Sequence, residues 1–325
     1  MSLQSIDETL PALTIFDQEA PDPFLSLAHP PRPLAFEANV PGAPLALARS
    51  FPEYYGLSSN PFADCVSSGF FYRTDAHAEA FRTLMLAVEF ETSLGLLTGP
   101  SGMGKTLVSQ LLLQQLDPAR FCAAIVLITP GLGKCGLLRE ILSELSVALP
   151  VGNPRVQDLV KILSNHIIDL HREGKRLILI IDESHLLSAD CLHIVRTISN
   201  IEIPARKLVT CLLFGEERLN SRLDHPSYES LRNRIYLRGT LPRLAEEETA
   251  QYVKYRLMVA GRFDQIYTPE ALAAIHRHSE GICRSINKLG LLSLIEGAAR
   301  QQPVLDERLI AVCAARRDTD LRPDV

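Results

Sequence analysis

One short segment constrains this chain more than any other. The run LLTGPSGMGKT places Gly99, Gly104, Lys105 and Thr106 in the spacing G-x-x-x-x-G-K-[ST]. An apolar stretch of strand length precedes it and an apolar helical stretch follows it. Glycines at these positions let the backbone curl so that its N–H groups point inward at phosphate oxygens. The helix that starts at the loop adds its positive amino-terminal end. The loop residues Gly99, Pro100, Ser101, Gly102, Met103, Gly104, Lys105, Thr106 and Leu107 are therefore the expected nucleotide cradle. Lys105 is expected to reach the β- and γ-phosphates, and the Thr106 hydroxyl to ligate Mg²⁺. With 18 Gly, 7 Lys and 37 Ser plus Thr in 325 residues, an accidental match would arise about 2 times in 1,000.

A second segment fits the first. RLILIIDESHLL ends a buried-type strand on Asp182 and Glu183. Ligands of open α/β sheets bind at the carboxyl ends of strands. Asp182 can hold Mg²⁺ through a water there, and Glu183 can orient and polarise an attacking water.

The rest of the chain supplies the setting. Apolar runs at 94–98, 122–129, 177–182, 207–214 and 235–237 alternate with helical patterns near 104–117, 135–149, 155–174 and 187–200. Runs that are apolar without strict alternation, separated by helices, predict a parallel sheet covered on both faces. After Pro242 only helical patterns remain, at 245–260, 269–279, 284–301 and 305–316. The predicted organisation is an arm over 1–50, an α/β core over 51–242, a helical unit over 243–318 and a tail over 319–325. The arm holds eight of the 21 prolines and carries six acidic against two basic residues. It reads as extended and disordered, and Phe16, Phe24 and Phe36 are candidate docking points within it.

Composition removes several classes of function. No apolar run reaches the roughly 18–20 residues that span a bilayer, so no integral membrane segment is expected. No basic region followed by an apolar one opens the chain, which argues against export. The seven cysteines are widely spaced with no C-x-x-C pair, so neither zinc nor a disulfide framework is indicated and a cytoplasmic location fits. The formal net charge of −5 gives no global footprint for nucleic acid.

With these motifs in order, the chain resembles the AAA+ ATPases, and within them the ExeA/GspA family of secretion-associated ATPases. The resemblance covers roughly 51–316. It is carried by YYGLSSNPF, FFYRTDAHAEAFRTL, DESHLLSADCLHIVRTISNIE, LRNRIYLRGTLPRLAEEETAQYVKYRLMVAG and TPEALAAIHRHSEGICRSINKL. It implies a P-loop AAA+ core with a five-stranded parallel sheet, followed by an all-helical lid. It also implies ATP and Mg²⁺ as bound groups and a ring or filament of copies as the working form. Catalysis would fall to Glu183, Lys105, Arg284 and Arg234. Arg284, in the lid's G-x-x-R, would reach the γ-phosphate. Arg232 and Arg234 both precede the fifth strand in LRNRI, and of the two Arg234 would serve a neighbouring subunit as an arginine finger, a role that suits a rigid, always-charged fork. Tyr55, Gly56, Pro61 and Phe62 fall where the family lines the adenine pocket. Two positions depart from the pattern: Glu216 follows the fourth strand where glutamine is usual, and Thr129 replaces the commoner asparagine.

Three functional readings follow. The first is an ATP-hydrolysing oligomer that remodels a protein machine such as a secretion or pilus system. The second is a DNA-associated ATPase like the transposition regulators, with Lys134, Arg139, Arg206 and Lys207 as candidate contacts. The third is an ATP-gated scaffold that does not hydrolyse.

Overall fold

Strong apolar runs set the layers of the molecule. A computed structural model describes residues 50–63, 70–204 and 206–320, with side chains through Arg316. The arm up to residue 49, with Phe16, Phe24 and Phe36, and residues 321–325 lie outside the described residues. In chain order the core runs α1 (Phe51–Tyr55), α2 (Asp75–Glu89), β1 (Leu94–Thr98), α3 (Lys105–Gln115), β2 (Phe121–Leu127), α4 (Lys134–Glu144), α5 (Val156–Arg172) and β3 (Arg176–Asp182). It continues through α6 (Ala189–Ile198), β4 (Glu202–Ile203), β5 (Arg206–Lys207), β6 (Val209–Gly215), α7 (Arg218–Leu223), α8 (Glu229–Arg232) and β7 (Ile235–Thr240). Four helices close the chain: α9 (Glu246–Val259), α10 (Pro269–Ser279), α11 (Cys283–Ala299) and α12 (Glu307–Asp320).

Five strands form one parallel sheet in the order β2-β3-β6-β1-β7. Every residue of β1, β3 and β6 is buried, which is why their sequences are apolar without alternation. Side-chain direction still alternates. Leu177, Leu179 and Ile181 of β3 join a cluster under α4, α5 and α6, while Ile178 and Ile180 face the opposite cluster with α2, α3 and the final helices. The edge strand β2 has mixed burial and leaves Leu127 exposed.

The final helices share a core with the sheet. One contiguous cluster runs from Leu97, Ile178 and Phe214 to Ala271, Ile275, Ile286 and Leu309. Phe62 lies flat against α11, where a Cβ on Gly290 would meet its ring at 2.7 Å. Arg256 of α9 reaches across the same seam: its guanidinium donates to the carbonyls of Pro61 at 2.5 Å and Ala63 at 3.2 Å and packs over the ring of Phe70. The change at Pro242 is thus one of secondary structure, and the packing runs through it.

Three local features differ from the sequence expectation. The strand expected over 207–214 begins at Val209. Residues 202–203 and 206–207 instead pair antiparallel, with Glu202 opposite Lys207. The helix expected from 187 starts at Ala189, because Ser188 caps it by accepting from the Cys191 amide at 3.2 Å. The helix α2 had no counterpart among the expected elements; Thr74 caps it through the His77 amide.

Candidate active site

The phosphate loop connects β1 to α3, and two of its glycines have the left-handed conformation that lets it curl: Gly102 at φ 82° and Gly104 at φ 92°. The first helical i→i−4 bond of α3 is Val108 N–H to the Gly104 carbonyl, so the amides of Gly104, Lys105 and Thr106 precede the ladder. Lys105 is 6% exposed. Its ammonium donates to the carbonyls of Gly99 and Pro100, both at 2.9 Å. Burial pushes its pKa down, while the nearby Glu183, Glu216 and Asp182 carboxylates pull it back up. A lysine held on neutral oxygens in this way keeps its charge for an anion.

The loop is supported from three sides. From α2, His77 is buried and places Nε2 3.0 Å from the Met103 carbonyl. A carbonyl only accepts, so Nε2 carries the proton and Nδ1 accepts from the Thr74 hydroxyl at 2.7 Å. Desolvation lowers the His77 pKa, consistent with this neutral ring. From α7, Asn220 Nδ2 donates to Thr98 Oγ1 at 2.9 Å, at the residue before Gly99. From the lid, the Arg284 amide donates to the Gly102 carbonyl at 3.2 Å and its guanidinium to Ser101 Oγ at 3.3 Å. The structure therefore brings Arg284 to the loop. Leu107 occupies the first turn of α3, with its amide on the Gly104 carbonyl.

Asp182 ends β3, beside this loop, and is 2% exposed. Thr106 Oγ1 donates to Asp182 Oδ2 at 2.8 Å, and the Glu183 amide donates to Asp182 Oδ1 at 2.8 Å. The hydroxyl and carboxylate oxygens are hard donors of the kind Mg²⁺ takes, so the donor set fits that ion. Glu183 has φ 55°, a conformation that costs a non-glycine residue on the order of 1 kcal/mol. It turns the carboxylate toward His185, with Oε2 3.3 Å from Nδ1. Beyond His185 lies Glu216, whose other carboxylate oxygen is 3.1 Å from Arg218 Nε. Thr129 is exposed after β2.

Other expected residues lie elsewhere. Arg234 precedes β7, and Ile235 pairs with Leu94, at the opposite end of β1 from Thr98. It is half-buried, with Nε on Asn200 Oδ1 and a terminal nitrogen on the Ser230 carbonyl, both at 2.8 Å. Arg234 is thus not brought to the loop of its own chain. Tyr55 and Phe62 are buried, the first through a hydroxyl bond to the Gln302 carbonyl and the second against α11. The structure gives these side chains a packing role between core and lid; Gly56 caps α1, and Pro61 offers its carbonyl to Arg256. Three of the four candidate DNA contacts have their charge offset: Lys134 by Asp190, Arg206 by Glu91 and Lys207 by Glu202, while Arg139 donates to Asn153. His77, His185 and Asn220 were not singled out from sequence. His185 stands inside the DESH string, and only its position after the strand could have marked it.

A parallel sheet in this order, a phosphate loop after its first strand, an acidic pair after β3 and a helical lid docked on the loop define a nucleotide-binding P-loop protein of the AAA+ type. The chain carries an AAA domain, residues 88–223 matching the family so described, and it resembles the ExeA/GspA proteins. It is 34% identical over 252 residues to the general secretion pathway protein A of Aeromonas hydrophila, covering 77% of this chain and 45% of that protein. The chain thus spans less than half the length of that relative. Among solved structures it is similar to the Aeropyrum pernix ORC2 protein, with a TM-score of 0.55 and 17% identity over 77% of this chain and 70% of that one. The Cdc6p structure from Pyrobaculum aerophilum gives 0.59 and 14% over 75% and 67%. At such identities these two show the fold alone. Among the described residues no helix is long and apolar enough to cross a membrane.

Proposed function

We propose that this chain binds ATP with Mg²⁺, hydrolyses it, and works as an assembly of copies. The observation that carries this reading is the 2.8 Å bond between Thr106 and Asp182, residues 76 apart in sequence, beside the buried ammonium of Lys105. When bound, Mg²⁺ offsets charge on the β- and γ-phosphates. Thr106 would ligate it and Asp182 would hold it through a water. Lys105 would contact the phosphates, and Glu183 would polarise the attacking water. Arg284 would report γ-phosphate occupancy to the lid, and Arg234 would complete the site of a neighbouring subunit.

The partner we favour is a secretion or pilus machine, a reading supported by the name of the relative from Aeromonas hydrophila. The DNA-associated reading draws no support from its candidate residues, since three of the four are paired with carboxylates. The presence of a second carboxylate at Glu183 favours hydrolysis over a scaffold role.

Binding is tested by thermal denaturation. ATP with Mg²⁺ should raise the melting temperature of the protein, and Lys105→Ala should abolish the rise. An unchanged rise in the variant would remove the phosphates from this loop.

A further inference from the structure

The lid carries an apolar groove that the nucleotide site does not use. It lies between α9 and the start of α10, encloses about 530 Å³, and has the buried Leu257, Ile266 and Leu272 in its walls. At its rim Phe263 is 82% exposed and Met258 44%. Single exposed apolar residues are ordinary, but two beside one apolar cleft with a polar rim mark an interaction surface. The rim also carries the exposed Lys254 and Arg262, whose charge Asp264 offsets at 3.5 Å. Among the described residues no ion pair involves Lys254, so the groove keeps one positive charge open. The cleft at the exposed Phe90 differs, because its lining cations, Arg206 and Lys207, are already held by Glu91 and Glu202.

The amino-terminal arm joins the body beside this groove. Helix α1 starts after Ser50 and ends at Gly56. A Cβ on Gly56 would lie 3.6 Å from a terminal nitrogen of Arg262, on the groove rim. Ser58 donates its amide and its hydroxyl to the Ala260 carbonyl, at 2.8 and 2.9 Å, which fixes this segment against the end of α9. Ser50 stands six residues before Gly56, about 9 Å at the helical rise. The sequence of the arm divides into two parts. LTIFDQEAPDPFLSL, residues 13–27, holds Phe16 and Phe24 among Leu13, Ile15, Leu25 and Leu27, with Asp17, Glu19 and Asp22 and no basic residue. Residues 28–49 hold five prolines, Arg32, Arg49 and a single acid, Glu37. Only the first part combines aromatic rings with a charge opposite to that of Lys254. The second part is long enough to be its tether, since 22 residues reach at most about 75 Å. A tethered segment meets its site at an effective concentration on the order of millimolar, which favours it over a second copy in dilute solution.

We propose that residues 13–27 dock in the lid groove of their own chain, with their phenylalanine rings against Met258 and Phe263 and their carboxylates toward Lys254. The lid face is then open to another molecule only when the arm leaves it. This inference stands apart from ATP hydrolysis and holds whether or not the nucleotide reading does.

Two experiments on the full chain test it. The four methionines, Met1, Met85, Met103 and Met258, suit methyl NMR of methionine-labelled protein, with the Met258 signal assigned by its loss in Met258→Leu. Phe16→Ser combined with Phe24→Ser should move that signal, and Phe36→Ser should leave it in place. The buried Met103 is the control for an intact body, and its signal should not change. A synthetic peptide of residues 13–27 should return the Met258 signal of the doubly substituted chain to its wild-type position. A Met258 signal that the double substitution leaves unmoved, or that Phe36→Ser moves equally, would overturn the proposal. The second experiment places the photoreactive p-benzoylphenylalanine at position 263 and irradiates dilute protein. Peptide mapping of the product of single-chain mass should find residues 13–27 on the probe. Lys254→Glu should lower that yield by about 2- to 5-fold, the scale of one exposed charge pair. Cross-links between two chains that grow with protein concentration would assign the groove to a second copy and overturn the proposal. Cross-links confined to other segments, or a yield indifferent to Lys254→Glu, would do the same.

Discussion

The two ends of the five parallel strands handle charge in different ways. At the carboxyl ends, Lys105 rests on the Gly99 and Pro100 carbonyls, and Asp182 is held by a hydroxyl and an amide. These are neutral partners, so the charges stay available to a ligand. At the amino ends, charges are cancelled in place. Glu91 meets Arg206 at 3.0 Å, Glu89 meets Arg120 at 3.3 Å, and Glu202 meets Lys207. Arg234 breaks the pattern of its own end. It sits there with an amide oxygen and a main-chain carbonyl as partners, which is how Lys105 is held at the other end. At the phosphate loop a charge held by neutral oxygens is left open to a ligand, whereas a charge in a surface ion pair is left to solvent; elsewhere, as at Arg256, neutral carbonyls hold a cation for packing.

Substitutions at the two ends can break this contrast. The largest effect should come from Arg234→Ala. An arginine finger is worth about 10³–10⁵ in rate, so steady-state turnover should fall by about 10³-fold or more while ATP affinity is retained. A loss below about tenfold would return Arg234 to the solvated class. Next comes Glu183→Gln, which keeps size and hydrogen bonding but removes the carboxylate. Phosphate release should drop by roughly 10²-fold or more, the scale of general-base effects, with nucleotide binding intact. The smallest effect belongs to the paired class. Arg206→Gln should change unfolding free energy by less than about 1 kcal/mol, because an exposed ion pair is screened by solvent, and turnover should be unaltered. A clear loss of activity there would show that the β4–β5 pair carries function after all.

How much of this could be read in the sequence depended on how local the cause was. The phosphate loop, the strand before it and the acidic pair ending β3 are each specified within about a dozen residues, and all were legible. So was the helical run after Pro242. The start of β6 was not, because the register of Glu202 opposite Lys207 turns an apolar-looking approach into an antiparallel pair. The supports of the loop were hidden for the same reason. His77 meets Met103 across 26 residues, Glu216 meets His185 across 31, and Asn220 meets Thr98 across 122. Tyr55 and Phe62 show a different limit. Their apolar character was plain, but only the placement of α11 decides whether such rings face a cavity or a helix.

The account's central claim is that the neutral-held cation at the amino end of one chain's sheet completes the site at the carboxyl end of another's. Mixing tests this most directly. A chain carrying Arg234→Ala keeps Glu183 and an intact phosphate loop, and a chain carrying Glu183→Gln keeps Arg234. Each alone should be nearly inactive. Combined at equal concentration, they should regain a substantial fraction of wild-type phosphate release, rising with total protein, because the second chain supplies its arginine to the first chain's site. If the mixture stays at the sum of its inactive parts while the two chains are shown to co-assemble, the site is not shared and Arg234 has no part in it.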